Sequence, residues 1–191
     1  ANTANWLVIH KESNIDVQYS YKSVQNILSQ FNNTYLKEDN GSRLTTSILV
    51  PDNYSSAELS AGMIFSANFG EKKKYDDFSF EFNTYSNLKN KNDNIIFIGK
   101  GTDSPTDILK LFNDNEKSLL NDNCIIKQVE SPFNKDSKML IIMSNDDELL
   151  IKGSKLITSN DLIKNLNQSS IVINKNNDIN DLVSGEGEGR I

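Results

Sequence analysis

Residues 45–70 of this 191-residue chain read TTSILVPDNYSSAELSAGMIFSANFG, and this stretch decides the fold. Its apolar run Ser47-Ile48-Leu49-Val50 is followed by Pro51-Asp52-Asn53, residue types that favour a turn. The run therefore predicts a short buried strand that stops at the proline.

A helix is predicted directly after that turn. Ser55 and Glu58 have capping-box spacing, in which the serine oxygen accepts from an early helical amide and the glutamate reaches back. The apolar residues behind this cap recur near the helical period: Leu59, Met63 and Ala67, with Ile64 beside them. The pattern stops at Gly70, which suits a left-handed helix end. A strand that leads into a helix in this way predicts an α/β layered domain.

The same alternation continues along the chain. Strands are predicted within 78–82, 94–99, 124–129, 139–143 and 170–173, and helices after Ser104, Asp146 and Ser159. The runs 94–99 and 139–143 are continuously apolar, as strands covered on both faces of a parallel sheet are. The pattern predicts a doubly wound, mainly parallel sheet with helices on both faces, and any site is expected at the carboxyl ends of its strands.

The first forty residues have a different pattern. Trp6-Leu7-Val8-Ile9-His10 is apolar, and Ile15 to Tyr21 alternates apolar and polar residues as a half-buried strand does. We predict two strands here, then a short helix within 23–29 and a polar loop at 37–42. Because two strands alone are marginal in water, this pair lies against the larger domain or belongs to a sheet whose other strands are elsewhere.

Composition excludes several classes of protein. The chain has 26 acidic and 20 basic residues and a formal net charge of -6, which argues against a nucleic acid partner. Its single cysteine, Cys124, cannot form an internal disulfide and is expected to be a small buried residue beside Ile125-Ile126, which leaves the redox compartment open. No apolar run approaches the roughly 20 residues of a membrane helix, and no signal peptide is recognised at the start.

Two loops at the predicted strand ends are candidates for binding an anion. Flavin and dinucleotide sites use glycines or hydroxyls whose backbone amides cradle phosphate. The first loop, 51–56, has no glycine and carries Asp52, although Ser55 and Ser56 could donate hydroxyls. The second, Gly99-Lys100-Gly101-Thr102, lacks full phosphate-loop spacing, and a tight turn explains its glycines as well. We therefore expect no cofactor.

No catalytic constellation is recognised. A phospho-acceptor receiver would need an aspartate at the end of the third strand, where Gly99-Lys100 stands. The only histidine, His10, lies in the first predicted strand, and neither Cys124 nor any serine occupies a nucleophile elbow. Asp146, Asp147 and Glu148 could be metal ligands or paired carboxylates, but crowding of acids at a helix start is the favoured explanation.

Several short motifs, in this order and spacing, resemble the bacterial cellulose synthase regulatory subunit, the B subunit. They are Trp6-Leu7-Val8-Ile9-His10 with Ser13 and Tyr19, Leu49-Val50-Pro51-Asp52 with Ala57-Glu58-Leu59, Ile98-Gly99, Ser131-Pro132-Phe133-Asn134, Leu140-Ile141-Ile142 and Asp146-Asp147-Glu148. Members of that family are several times longer than this chain. They alternate carbohydrate-binding jelly rolls with flavodoxin-like domains outside the inner membrane, and they end in an anchor that associates with the catalytic subunit.

The resemblance implies a division into three segments. Residues 1–42 would end a carbohydrate-binding jelly roll, 43–176 would form the first flavodoxin-like domain, and 177–191 would be a linker or tail. It also implies a noncatalytic role in glucan export on the outer side of the membrane, beside the catalytic subunit and the nascent β-glucan, with a membrane anchor outside this chain.

Flat aromatic rings suit sugar faces, so the candidate glucan-facing residues are Trp6, Tyr19 and Tyr21, although core packing is the favoured role for at least Trp6. The alternative is a small-molecule-binding α/β enzyme that uses Ser55 and the 99–102 loop for flavin or nucleotide. Four residues depart from the family pattern: Ser144 replaces a glycine, Gly153 replaces a helical alanine, and Asn32-Asn33 replace a proline-rich aromatic turn near Phe31.

Overall fold

The computed structural model describes residues 26–36, 45–74 and 78–176. The predicted strands within 6–21, the loop at 37–42 and the tail from 177 lie outside these ranges.

A six-stranded sheet with helices on both faces forms the described α/β body. Its strands are β1 Thr45–Val50, β2 Ser79–Thr84, β3 Asn94–Gly99, β4 Asn123–Glu130, β5 Lys138–Met143 and β6 Ser170–Asn174. Its helices are α1 Phe31–Tyr35, α2 Ser56–Lys72, α3 Thr106–Leu109, α4 Asp114–Leu119, α5 Asp147–Thr158 and α6 Asn160–Ile163, with 3-10 turns at Leu28–Gln30 and Tyr85–Asn87. The α/β prediction is confirmed at this level.

The strand order is β2-β1-β3-β5-β4-β6, and only β4 runs opposite to the other five strands. β2, β1, β3 and β5 pair in parallel, as predicted. β4 pairs antiparallel with both β5 and β6, so the prediction of parallel pairing is wrong at β4. The cause is the short 131–137 connection, because a parallel pair needs a crossover of a dozen or more residues.

Each face of the sheet has its own apolar core. Alternate residues of the central strands point to opposite faces, so that Ile96 and Ile98 of β3 lie in one core and Ile95 and Phe97 in the other. The first core lies under α1, α2, α5 and α6, and the second under α3 and α4. Both faces of the central strands are therefore covered.

Residues 28–36 pack in the core of the α/β body, although the boundary at 42 assigns them to the preceding segment. The Phe31 ring lies 6.1 Å from those of both Phe65 and Phe69 in α2. The Thr46 hydroxyl donates to the Tyr35 carbonyl at 2.9 Å. Of the helix predicted within 23–29, residues 23–25 lie outside the described ranges; the described part contains the start of a 3-10 turn, Leu28–Gln30, which leads into α1.

Helix α2 begins as predicted but buries a different face. The Ser55–Glu58 capping box is present. The buried stripe consists of Ala57, Ala61, Phe65 and Phe69, while Met63 is 58% exposed. The prediction that Leu59, Met63 and Ala67 face the core is wrong, because this helix carries a second apolar stripe. The prediction of a left-handed cap at Gly70 is also wrong, since the helix continues to Lys72.

The other helix starts agree with the sequence in part. Asp146 caps α5, whose predicted residues Leu149, Leu150, Leu156 and Ile157 are all buried. Ser104 does not cap α3 but donates its hydroxyl to the Lys100 carbonyl at 2.6 Å. Ser159 precedes α6 without a side-chain cap. Helix α4 was not predicted, although Asn113 and Glu116 form a complete capping box at its start.

Gly153 is required by close packing of α5 on the sheet. A Cβ at this position would lie 2.7 Å from the Sγ of Cys124, which is fully buried as predicted. Burial raises the pKa of that thiol to about 12, so the sulfur is an uncharged packing atom. Ser144, which stands where the family usually has glycine, also fits its surroundings. Its buried hydroxyl donates to the Asn123 carbonyl and accepts from the Asp146 amide.

We expect Gly153→Ala to destabilise the protein by about 1–2 kcal/mol, because overpacking outweighs the higher helix propensity of alanine. In the background of Cys124→Ala the same substitution should cost less, with a favourable coupling of about 1 kcal/mol. Urea unfolding of the four proteins measures this coupling. Gly70→Ala is the matched control, because nothing lies within 4 Å of a Cβ there, and it should stabilise by about 0.5–1 kcal/mol. Strict additivity of the two substitutions would contradict the packing explanation.

Candidate functional site

The carboxyl edge of the parallel strands is where a doubly wound sheet holds a ligand. In the strand order β1 lies between β2 and β3, so the connections that follow β1 and β3 leave toward opposite faces of the sheet. A crevice can therefore open between the loop after β1 and the loop after β3. Those loops contain the two anion-binding candidates of the sequence, Ser55 and 99–102. The structure brings them together.

The Glu58 carboxylate bridges these two loops. It is 0% exposed, and its Oε2 accepts from the Ser55 amide at 2.6 Å. Its Oε1 accepts from the Lys100 amide at 2.7 Å. Backbone amides at such positions are the groups that cradle phosphate in nucleotide-binding sheets. The protein's own carboxylate already occupies both.

The Lys100 ammonium is also engaged within the protein. Its Nζ lies 2.6 Å from the Oδ1 of Asp147 at the start of α5. The hydrogen bond to Asp147 raises the pKa of Lys100, so the side chain stays protonated and paired at neutral pH. This ion pair ties the loop after β3 to the loop after β5.

The glycines of this loop are explained by close packing. A Cβ on Gly99 would lie 2.9 Å from the Phe97 ring and 3.0 Å from the Ser104 hydroxyl. A Cβ on Gly101 would lie 2.8 Å from the Cδ1 of Leu120. Each glycine therefore lets the loop approach its neighbours closely.

Asp52 holds the loop after β1 to the loop after β2. Its Oδ1 accepts from the Ser86 amide at 2.9 Å, and its Oδ2 accepts from the Ser86 hydroxyl at 2.5 Å. The hydrogen bonds from Ser86 lower the pKa of Asp52, so it remains a carboxylate. A fixed negative charge at this position disfavours a bound phosphate.

The acids at the start of α5 have structural partners. The Asp146 carboxylate accepts from the Glu148 and Leu149 amides and lies 2.6 Å from the Nζ of Lys175. The hydrogen bond from Lys175 lowers the pKa of Asp146. Within the described ranges, no group of three or more histidine, cysteine, aspartate or glutamate side chains is arranged to hold a metal ion.

A second acidic cluster, Asp93 and Glu81 around Ser47 of β1, was not predicted from the sequence. The Ser47 hydroxyl lies 3.1 Å from the Oδ2 of Asp93 and 3.4 Å from the Oε1 of Glu81. Asn90 donates to Asp93 at 2.6 Å, and Lys89 pairs with Glu81. Burial is the main cause that raises the pKa of Asp93, and the nearby Glu81 charge adds to it. A single serine proton is thus shared between two carboxylates.

We expect Asp93→Asn to stabilise the protein at pH 7 by up to about 1 kcal/mol. The side-chain amide at position 93 would donate to the Ser47 oxygen. The Ser47 hydroxyl could then donate its proton to Glu81. Because the pKa of Asp93 is raised in the folded state, the protonated form of Asp93 stabilises the fold. This stabilisation is complete in acid and is lost as pH rises through that pKa. The gain should therefore shrink as pH falls toward 3.

Urea unfolding at pH 7 and at pH 3 tests this, with the exposed Asp136→Asn as control. A variant less stable than the parent at pH 7 would show that the carboxylate is favourable there.

The glucan-facing candidates Trp6, Tyr19 and Tyr21, and also His10, lie outside the described residues, so their role stays a prediction. At the carboxyl edge itself, Tyr54 is 45% exposed beside Asp52 and was not singled out from the sequence. None of the helices in the described ranges combines the length and apolar character needed to cross a membrane.

Comparison with known proteins agrees with the motif resemblance. Two curated relatives, each named cyclic di-GMP-binding protein, come from Salmonella typhi and Salmonella typhimurium and are 25% identical over 179 residues. The match covers 91% of this chain and 21% of each relative, so the chain spans about a fifth of their length. Residues 27–172 match the family model described as cellulose synthase BcsB, first FD domain. The chain therefore belongs to the cellulose synthase BcsB family.

Proposed function

We propose that this chain is a noncatalytic part of the regulatory subunit of a bacterial cellulose synthase complex. Its α/β body acts as a rigid scaffold and assists passage of the nascent β-glucan on the outer side of the membrane. The full-length protein would hold to the membrane through a C-terminal anchor beyond this chain and associate there with the catalytic subunit.

One observation carries the scaffold role: Glu58 occupies the amides of both Ser55 and Lys100. The edge that would bind a flavin or nucleotide is closed by the protein's own hydrogen bonds. The Lys100–Asp147 ion pair and the Asp52–Ser86 hydrogen bonds extend the same closure to neighbouring loops. Such an edge supports rigidity rather than chemistry.

We further propose that the domain is a variant of the flavodoxin-like fold. The order β2-β1-β3 is that of a flavodoxin-like sheet, and the reversed β4 is the departure. The α/β unit would begin near residue 27, since 28–36 pack in its core, while the residues before it would end a jelly roll and those after 176 form a linker.

Cells that carry the full-length protein test the scaffold role. Deletion of residues 27–176 should abolish cellulose output while the catalytic subunit is still made. Lys100→Met should leave output unchanged, because the lysine only pairs with Asp147. Cellulose output that persists after the deletion would contradict a scaffold role. Loss of output in Lys100→Met, with protein amount and stability unchanged, would instead indicate a bound anion.

A second candidate, nucleotide binding, is raised by the name of the Salmonella relatives, cyclic di-GMP-binding protein. A cyclic dinucleotide carries two phosphates, whereas the described carboxyl edge carries the carboxylates of Asp52 and Asp147, and its lysine, Lys100, is paired with Asp147. We therefore place any such binding outside this edge.

Titration with cello-oligosaccharides, followed by Trp6 fluorescence, tests direct glucan binding. We expect weak or absent binding, since the proposed jelly roll is only partly contained in this chain. The double variant Trp6→Ala with Tyr19→Ala lacks the only tryptophan, so its binding is measured by titration calorimetry. Micromolar binding that survives both substitutions would show that the proposed glucan-facing residues are wrong.

A further inference from the structure

The outer face of α2 has no charge. Its exposed residues are Ser56, Ser60, Met63, Ala67 and Gly70, and Leu59 and Ile64 are half-buried beside them. The helix carries no Asp, Glu, Lys or Arg between the buried Glu58 and Glu71 near its end. Met63, at the middle of this face, is 58% exposed.

The neighbouring helix provides an internal comparison. α5 packs beside α2 on the same side of the sheet and presents Glu148 and Lys155 to solvent. A helix that is polar on one side and apolar on the other has solvent on its polar side, whereas one apolar on both sides is buried. By this criterion α5 is a surface helix and α2 is not.

The serines of α2 do not make its outer face polar. The Ser60 hydroxyl donates to the Ser56 carbonyl at 2.7 Å, and the Ser66 hydroxyl donates to the Gly62 carbonyl at 3.1 Å. These two hydroxyls have partners within their own helix, so covering the face would leave neither of them unpaired. The small side chains on either side of Met63 would also let a neighbour approach closely.

We propose that this face of α2 packs against another domain of the same long polypeptide, through an uncharged surface on that domain. The chain spans about a fifth of the length of its relatives, so most of the polypeptide that could cover α2 lies outside it. Partners that meet by diffusion associate faster when their surfaces carry complementary charges, and this face of α2 carries no charge. A covalently joined domain has high effective concentration and needs none. The inference rests on family membership and not on the proposed absence of a cofactor.

Photo-crosslinking in the full-length protein tests this proposal. p-Benzoylphenylalanine replaces Met63, and the matched control places it at Lys155 on α5. After irradiation and digestion, we expect peptides that join α2 to residues outside 1–191 of the same polypeptide, with monomeric mobility on a denaturing gel. The Lys155 protein should give only background crosslinking.

Crosslinks to a second copy, or to a different subunit, would overturn the proposal by naming another occupant. Crosslinking at position 63 no greater than at position 155 would overturn it by showing that the face is solvated. Met63→Lys provides a second measurement, because it should leave the melting temperature of the 191-residue chain unchanged and lower that of the full-length protein by several degrees.

Discussion

Replacing Glu58 by alanine is expected to destabilise the domain by about 3 kcal/mol, because two backbone amides lose their acceptor. Those amides belong to Ser55 and Lys100, which lie on loops that follow different strands. The variant should therefore loosen the contact between the loops as well as the start of α2. Chemical denaturation gives the free energy of unfolding, and amide hydrogen exchange at Lys100 reports the local opening.

Glu58→Gln separates acceptor chemistry from packing. Glutamine has the shape of glutamate, but one of its terminal atoms is an N–H donor that would face an N–H group of the protein. We expect a loss of about 2 kcal/mol despite the conserved shape. Glu71→Gln on the exposed end of the same helix is the control and should stay within about 0.5 kcal/mol of the parent. A Glu58→Gln variant as stable as this control would contradict the proposed bridge.

Phe31→Ala is expected to cost about 3–4 kcal/mol, as removal of a fully enclosed aromatic ring does. Phe31 is 1% exposed, and its ring contacts those of Tyr35, Phe65 and Phe69. Thermal and urea unfolding measure the loss. Asn33→Ala on the exposed side of α1 is the control, with an effect within about 0.5 kcal/mol.

Shortened chains test the same packing at the level of the domain. A chain that starts at Asn26 should unfold cooperatively, whereas one that starts at Arg43 should not, because it lacks the Leu28, Phe31 and Tyr35 side chains that cover the sheet. Cooperative unfolding of the chain from Arg43, together with a small effect of Phe31→Ala, would place the domain start near 43 instead.

Local signals predicted most of the strands and the start of α2. The capping box at Ser55 depends on two residues three apart, so it can be read from sequence alone. The second bond of Glu58, to Lys100, depends on which strands lie side by side, and no local pattern encodes that. The unpredicted helix α4 had a readable signal, since Asn113 and Glu116 have the same spacing with asparagine in place of serine.

Two errors have clear physical causes. The helical period could not choose between the stripes of α2, because Leu59-Met63-Ala67 and Ala57-Ala61-Phe65-Phe69 are both apolar. The reversed direction of β4 was concealed by the apolar character of β4 and β5, which suits a central strand of either direction. Only the short 131–137 connection distinguishes them, because it leaves no room for a crossover helix.

In this structure the protein's own groups close the carboxyl edge of the sheet. The most direct test is a two-dimensional amide NMR titration of the chain with flavin mononucleotide and, separately, with cyclic di-GMP. We expect the Ser55, Ser86 and Lys100 amide signals to remain unchanged at millimolar ligand. Saturable shifts of those three signals with either ligand would show that the edge is an open binding site.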